Sequence, residues 1–231
     1  MSMPDDPRGL ARAVRQHVKT LALWGITEVP FAVSGTSRRS EPDTAAALSR
    51  LEQQVKTCTR CPLYRTATRH VFGEGDPEAR LVFVGEAPGR DEDLQGRPFV
   101  GAAGRLLTKM IEAMGLTREA VYICNVLKHR PPANRVPQPD EVDACQGHLV
   151  EQLEIIRPAI ICTLGAVAAR TLLGPGVSVM KARGRLTEYH GIPLMPTLHP
   201  AYLLRNPDAK RLVWQDLKRV KKLLSDQRPE T

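Results

Sequence analysis

The sequence predicts an open α/β fold built on a parallel sheet, and three observations predict it. Short apolar runs with β-branched residues recur at residues 81–84 (LVFV), 120–124 (AVYIC) and 159–163 (AIICT), each as long as a buried strand. Each gives way to helical periodicity after a break containing glycine, proline or asparagine. The residues able to do chemistry fall just past the carboxyl ends of these runs, which is where such sheets carry their sites. With 231 residues, 42% of them apolar, the chain is long enough for one domain with a core of its own.

Composition narrows the class. No apolar run reaches membrane-spanning length and the N-terminus shows no signal-peptide core, so a cytoplasmic monomer is expected. Five cysteines, an odd number, argue against a disulfide framework and for thiols or metal ligands in a reducing compartment. A net charge of +8 suits a polyanionic partner. Aromatics make up only 4%, so any base stacking must fall on one or two rings.

In chain order, residues 1–23 read as a basic amphipathic helix and residues 25–42 as a linker rich in Ser, Thr, Gly and Pro. Residues 1–41 therefore read as an extension, and residues 42–226 as the domain. Asp43 suits the N-cap of a helix running to residue 55. That helix delivers Cys58-Thr-Arg-Cys61-Pro62. Two thiolates two residues apart can grip one ion or one face of a cluster. A redox pair is the rival, but it belongs at a helix start after a strand. Further donors lie downstream at Cys124, His129, Cys145 and Cys162. Cys162 sits inside an apolar run and reads as core. Cys124 ends a strand and reads as either core or ligand. Cys145 lies on a helix with Val142 and Leu149.

The first strand stops at Gly85-Glu86-Ala87-Pro88-Gly89, and a loop bearing Asp91, Glu92 and Asp93 follows. Phe99-Val100 comes next, and from Gly101 a helix is expected with Leu106, Leu107, Met110, Ile111 and Met114 on one face. An ordinary βα turn whose acids solvate a loop would look much the same. The second strand ends at Asn125, beside the first loop in a parallel sheet. A carboxamide there matches the donor–acceptor edge of a pyrimidine base, although a loop-capping Asn is the common alternative. The proline-rich, arginine-bearing stretch after it reads as stiff and basic. The third strand leads into a short helix to residue 173, then a loop over residues 174–184. An extended pair follows at residues 186–190 and 194–197. It ends at His199, before a proline that can open a helix. Such a His could donate to a developing oxyanion or simply bond a carbonyl. Residues 210–224 form a last helix with Leu212, Val213, Leu217, Val220 and Leu224 inward and a solvated basic face.

Together CTRCP, FGEGDP, VGEAPGRDED, GRPFVGAAG, NVLKHRPPANR, LGAVAA and HPAYLLRNP resemble the iron–sulfur uracil-DNA glycosylases of family 4, over about residues 50–224. The resemblance implies a three-layer α/β/α sandwich around a four-stranded parallel sheet, a [4Fe-4S] cluster, and uracil-containing DNA, single- or double-stranded, as substrate. It further implies that Phe99 stacks on the flipped base, Asn125 reads its edge and His199 supports uracil O2. Glu86 positions water or stabilises the sugar cation, with Glu92 as a supporting acid. Backbone N–H groups at Ala87 and Gly89 touch the base. Leu203, Leu204 and Arg205 form a minor-groove wedge and phosphate grip.

One departure matters. The family has Cys where this chain has His129, in KCRPP, so the expected cluster ligands are Cys58, Cys61, His129 and Cys145, with Cys124 as the competitor. The His variant is similar to a subgroup that bonds covalently to uracil, which leaves a weak or trapping uracil-DNA-binding protein as the alternative. That subgroup carries a reactive His after an inserted arginine-rich loop. Residues 131–137 here contain no His, so turnover is expected.

Overall fold

The structure is a computed structural model that describes residues 43–227. The helix and linker expected over residues 1–41 lie outside those residues. Asp43 caps the first helix, α1 (Thr44–Lys56), by accepting the Ala46 N–H at 3.1 Å. The strands are β1 (Glu74–Gly75), β2 (Leu81–Gly85), β3 (Tyr122–Asn125), β4 (Ile160–Leu164), β5 (Thr187–Tyr189) and β6 (Ile192–Thr197). The remaining helices are α2 (Arg90–Gln95), α3 (Ala102–Ala113), α4 (Pro139–Ile156), α5 (Ala166–Leu173), α6 (Val179–Ala182), α7 (Pro200–Arg205) and α8 (Lys210–Asp226).

One sheet runs in the order β1-β3-β2-β4-β6-β5. Its inner four strands are parallel, as expected, and antiparallel edge strands extend it to six. The edge at β1 comes from the glycine-flanked Glu74–Gly75 pair, too short for a periodicity to reveal. Two further expectations need correction. The acidic stretch after β2 is not loop but the helix α2, whose start is capped by the Glu92 carboxylate reaching back to accept the Gly89 N–H at 3.1 Å. The loop over residues 174–184 contains the single-turn helix α6.

Strand side chains alternate between two cores, as the pleat requires. Val82, Val84, Tyr122, Cys124, Ile161 and Leu194 face α1, α4 and α5, which supply Leu51, Val55, Leu149, Leu153 and Leu172. Leu81, Phe83, Ile123, Ile160, Cys162 and Met195 face α3 and α8, which supply Leu107, Ile111, Val213, Leu217 and Val220. Because both faces of the sheet are covered, its strands read as continuous apolar runs. The architecture is a three-layer α/β/α sandwich.

Candidate active site

The carboxyl ends of β2, β3 and β6 open on one cleft of about 580 Å³, lined by Glu86, Phe99, Asn125 and His199 among others. Glu86 and Asn125 follow from the β2–β3 register, which pairs Gly85 with Asn125. Past the strands the two loops stay tied, because Val126 and Leu127 donate their N–H groups to the Gly85 and Glu86 carbonyls at 3.0 Å. Gly85 is required there: a Cβ would collide with Asn125 Oδ1 and stand 2.5 Å from Phe99 Cζ.

Asn125 is 1% exposed, and among the described residues neither its Oδ1 nor its Nδ2 has a partner. A buried carboxamide left open at both ends is costly unless a ligand completes it. Phe99 holds a positive φ of 51°, which a bulky residue adopts only when its surroundings impose it. Those surroundings are visible. The Glu92 carboxylate accepts the Val100 and Gly101 N–H groups, each at 2.9 Å, and Arg118 donates to the Pro98 carbonyl at 2.6 Å. Gly104 lets α3 start against the Phe99 backbone, where a Cβ would collide. The Phe99 ring is thereby held 5.6 Å from the His199 imidazole, tilted by 32°.

His199 is the N-cap of α7, and its Nδ1 accepts the Ala201 N–H at 3.1 Å. Burial, then the Arg205 charge, push its pKa down to about 4, so at neutral pH the ring is uncharged. With Nδ1 occupied as acceptor, the single proton sits on Nε2, which becomes a donor. Burial pushes Glu86 the other way, above the usual carboxylate range.

The structure redistributes several expected roles. Glu92 spends its carboxylate on the Gly89, Val100 and Gly101 N–H groups, so it builds the Phe99 loop instead of facing the reaction. The Gly89 N–H is thereby occupied, which removes it as a base contact and leaves Ala87 in the cleft wall. Leu203 is 1% exposed and packs in the α3–α8 core, so it cannot be a wedge. Leu204, one position on, is 45% exposed, and Arg205 lines the cleft. Asn134, Arg135 and Tyr202 also line it. The spacing of Tyr202, one turn after His199 on a helix, was the signal available for it.

A second gathering lies beyond Leu127. Cys61 and Cys145 pack with Leu63 and Leu127, while Cys58 and His129 line a neighbouring cavity of about 550 Å³ together with Tyr64 and His70. His148, one turn along α4 from Cys145, brings Nε2 within 3.4 Å of Cys58 Sγ. Among the described residues, no three His, Cys, Asp or Glu side chains converge on a single metal-ion position. A four-iron cluster takes each ligand on a different iron and so needs donors spread wider than one ion does. The thiols fit such a group. Burial, reinforced by neighbouring cysteines, pushes Cys61 and Cys145 up, so they stay protonated unless a cation claims them. Cys124 and Cys162 are fully buried in the two sandwich cores and stand apart from this set.

A parallel sheet whose strand ends aim an open carboxamide, an aromatic ring, a neutral imidazole and an acid into one cleft is the arrangement of a base-excising enzyme. Residues 72–218 match the model of the uracil DNA glycosylase superfamily. The type-4 uracil-DNA glycosylase of Thermotoga maritima is 47% identical over 178 residues, covering 75% of this chain and 93% of the relative. That of Archaeoglobus fulgidus is 42% identical over 191 residues, covering 79% and 96%. A type-5 uracil-DNA glycosylase of Pyrobaculum aerophilum is 30% identical over 201 residues, covering 72% and 87%. The chain belongs to the uracil-DNA glycosylases, and within them to type 4.

Proposed function

We infer that this protein removes uracil from DNA, hydrolysing the N-glycosidic bond to leave an abasic site for repair. The single observation that carries the reading is Asn125: a sealed amide, open at both ends, over a cleft floored by Phe99 and His199.

The base must leave the helix before its bond to the sugar is within reach. It then stacks on Phe99 and pairs its O4 and N3–H with Asn125. Cytosine fails this pairing, having a donor at C4 and no N3–H. As the N1–C1′ bond breaks, its electron pair stays with uracil, and negative charge collects on O2. The His199 Nε2–H supports that oxygen without giving up its proton; one such donor is worth about 3 kcal/mol. The sugar becomes cationic, which the Glu86 carboxylate stabilises. Water adds to C1′, and its proton passes to Glu86. The Ala87 N–H adds a contact to the base, Glu92 fixes the ring's position, Leu204 fills the vacated stack and Arg205 grips a phosphate.

Cys58, Cys61, His129 and Cys145 would hold a [4Fe-4S] cluster, the imidazole replacing a thiolate as in the covalent subgroup. The group supplies no reaction step here; it fastens the knuckle after α1 to the loop after Asn125. With no His over residues 131–137 for covalent capture of uracil, the enzyme turns over.

A gel assay on uracil-containing single and double strands tests this. Alkali-labile product that falls at least 100-fold in rate in Glu86→Gln and in His199→Ala is expected. Tight binding without abasic product, or a band that survives denaturation, would reject it.

A further inference from the structure

Lys128 is fully buried, and among the described residues its Nζ meets no carboxylate. Its Nζ donates to the Asn125 carbonyl at 2.7 Å, to Gln152 Oε1 at 2.5 Å and to the Phe72 carbonyl at 3.2 Å. Three acceptors thus surround one nitrogen and hold the side chain in one place. Gln152 is itself pinned, donating from Nε2 to the Phe72 carbonyl and to the Tyr122 hydroxyl, each at 3.1 Å. An amine sealed in a core is costly to bury, and packing alone does not call for one.

The location explains its use. Among the described residues the Asn125 amide has no hydrogen-bond partner, so packing and its backbone fix where it points. Lys128 grips that backbone at the carbonyl. Through its own N–H, Lys128 also meets Cys145 Sγ at 3.3 Å. Residues 125–128 thus form one clamp between the cleft and the cysteine lobe.

We propose that Lys128 is a positioning residue for uracil recognition, its Nζ holding the Asn125 backbone carbonyl so that the amide meets the base in register. This rests on Asn125 reading uracil, and the test separates the two.

Lys128→Met, close in length and uncharged, is compared with the parent protein, each with its iron content and visible absorbance checked to be equal. The expected result is a kcat lower by about 10–100-fold, the scale seen for groups that orient a functional side chain. Inhibition by free uracil weakens in parallel, while KM for uracil-containing DNA stays within about threefold, because the DNA-gripping groups lie elsewhere. In an Asn125→Ala background the same substitution costs nothing further. A kcat and a free-uracil affinity within about twofold of the parent would overturn the proposal, as would losses that simply add to those of Asn125→Ala. If Asn125→Ala itself keeps the parent rate, the reading of Asn125 is what fails. Should Lys128→Met not fold, Gln152→Met removes one acceptor from the Lys128 Nζ and carries the same test. A smaller loss in kcat and uracil affinity, absent in the Asn125→Ala background, supports the proposal, and unchanged values overturn it.

Discussion

Burial moves Glu86 and His199 in opposite directions, and both moves suit the same bond-breaking step. The acid is pushed up and so holds its proton to a higher pH than an exposed carboxylate. The imidazole is pushed down to about 4 and is uncharged at neutral pH. The acid limb of kcat against pH should therefore belong to Glu86: the rate rises as its proton leaves, with an apparent pKa above the usual carboxylate range. Single-turnover rates across pH check this, and Glu86→Gln should flatten the limb as it lowers the plateau. A limb unchanged by Glu86→Gln would assign it to another group. The sequence showed an acid and a His at strand ends. It could not show that one would be raised and the other lowered, since that depends on what the folded chain packs around each.

At the scale of elements, the turn after β2 and the start of α7 decide what the cleft holds. Gly85→Ala introduces a methyl into space occupied by the Asn125 amide and the Phe99 ring. Stability should fall by about 1–3 kcal/mol, the range for overpacking, and uracil excision should fall further than the melting shift explains. Thermal melts beside rates at a temperature where the variant is folded measure both. On α7, Leu203 and Leu204 look alike in sequence but face opposite ways. Leu203→Ala should cost about 2–5 kcal/mol as a core truncation. Leu204→Ala should leave stability within about 0.5 kcal/mol and slow excision from duplex more than from single strands. Equal melting shifts in the two variants would contradict this. The helix was readable from the His-Pro start and the apolar spacing, but a stretch of six residues has too few turns to fix its inward face.

For the molecule as a whole, the iron question reduces to which donors a loaded protein uses. Purified protein should carry about four iron atoms per chain. His129→Ala should lose the iron and the visible absorbance, while Cys124→Ala keeps both, because the Cys124 thiol is locked in the core beneath α1 and α4. The reverse pattern would move the fourth ligand to Cys124. A His148→Ala variant that lost the iron while His129→Ala kept it would move that ligand to α4.

The sequence by itself determined the alternation of strands and helices and the positions past the strand ends where chemistry is found, while the count of four parallel strands came from the resemblance to a known family. The first two follow from local periodicity and from the requirement that a sheet covered on both faces be apolar throughout. The antiparallel edge at β1 escaped it, since two residues carry no period, whereas β5 was legible as half of an extended pair. Only the tertiary structure decided that Glu92 builds a loop, that Leu203 is core and that Lys128 reaches the Asn125 carbonyl. Each of those roles depends on hydrogen bonds and packing between side chains and backbone that meet only once the sheet has assembled, and no spacing along the chain records which atoms will be left without a partner.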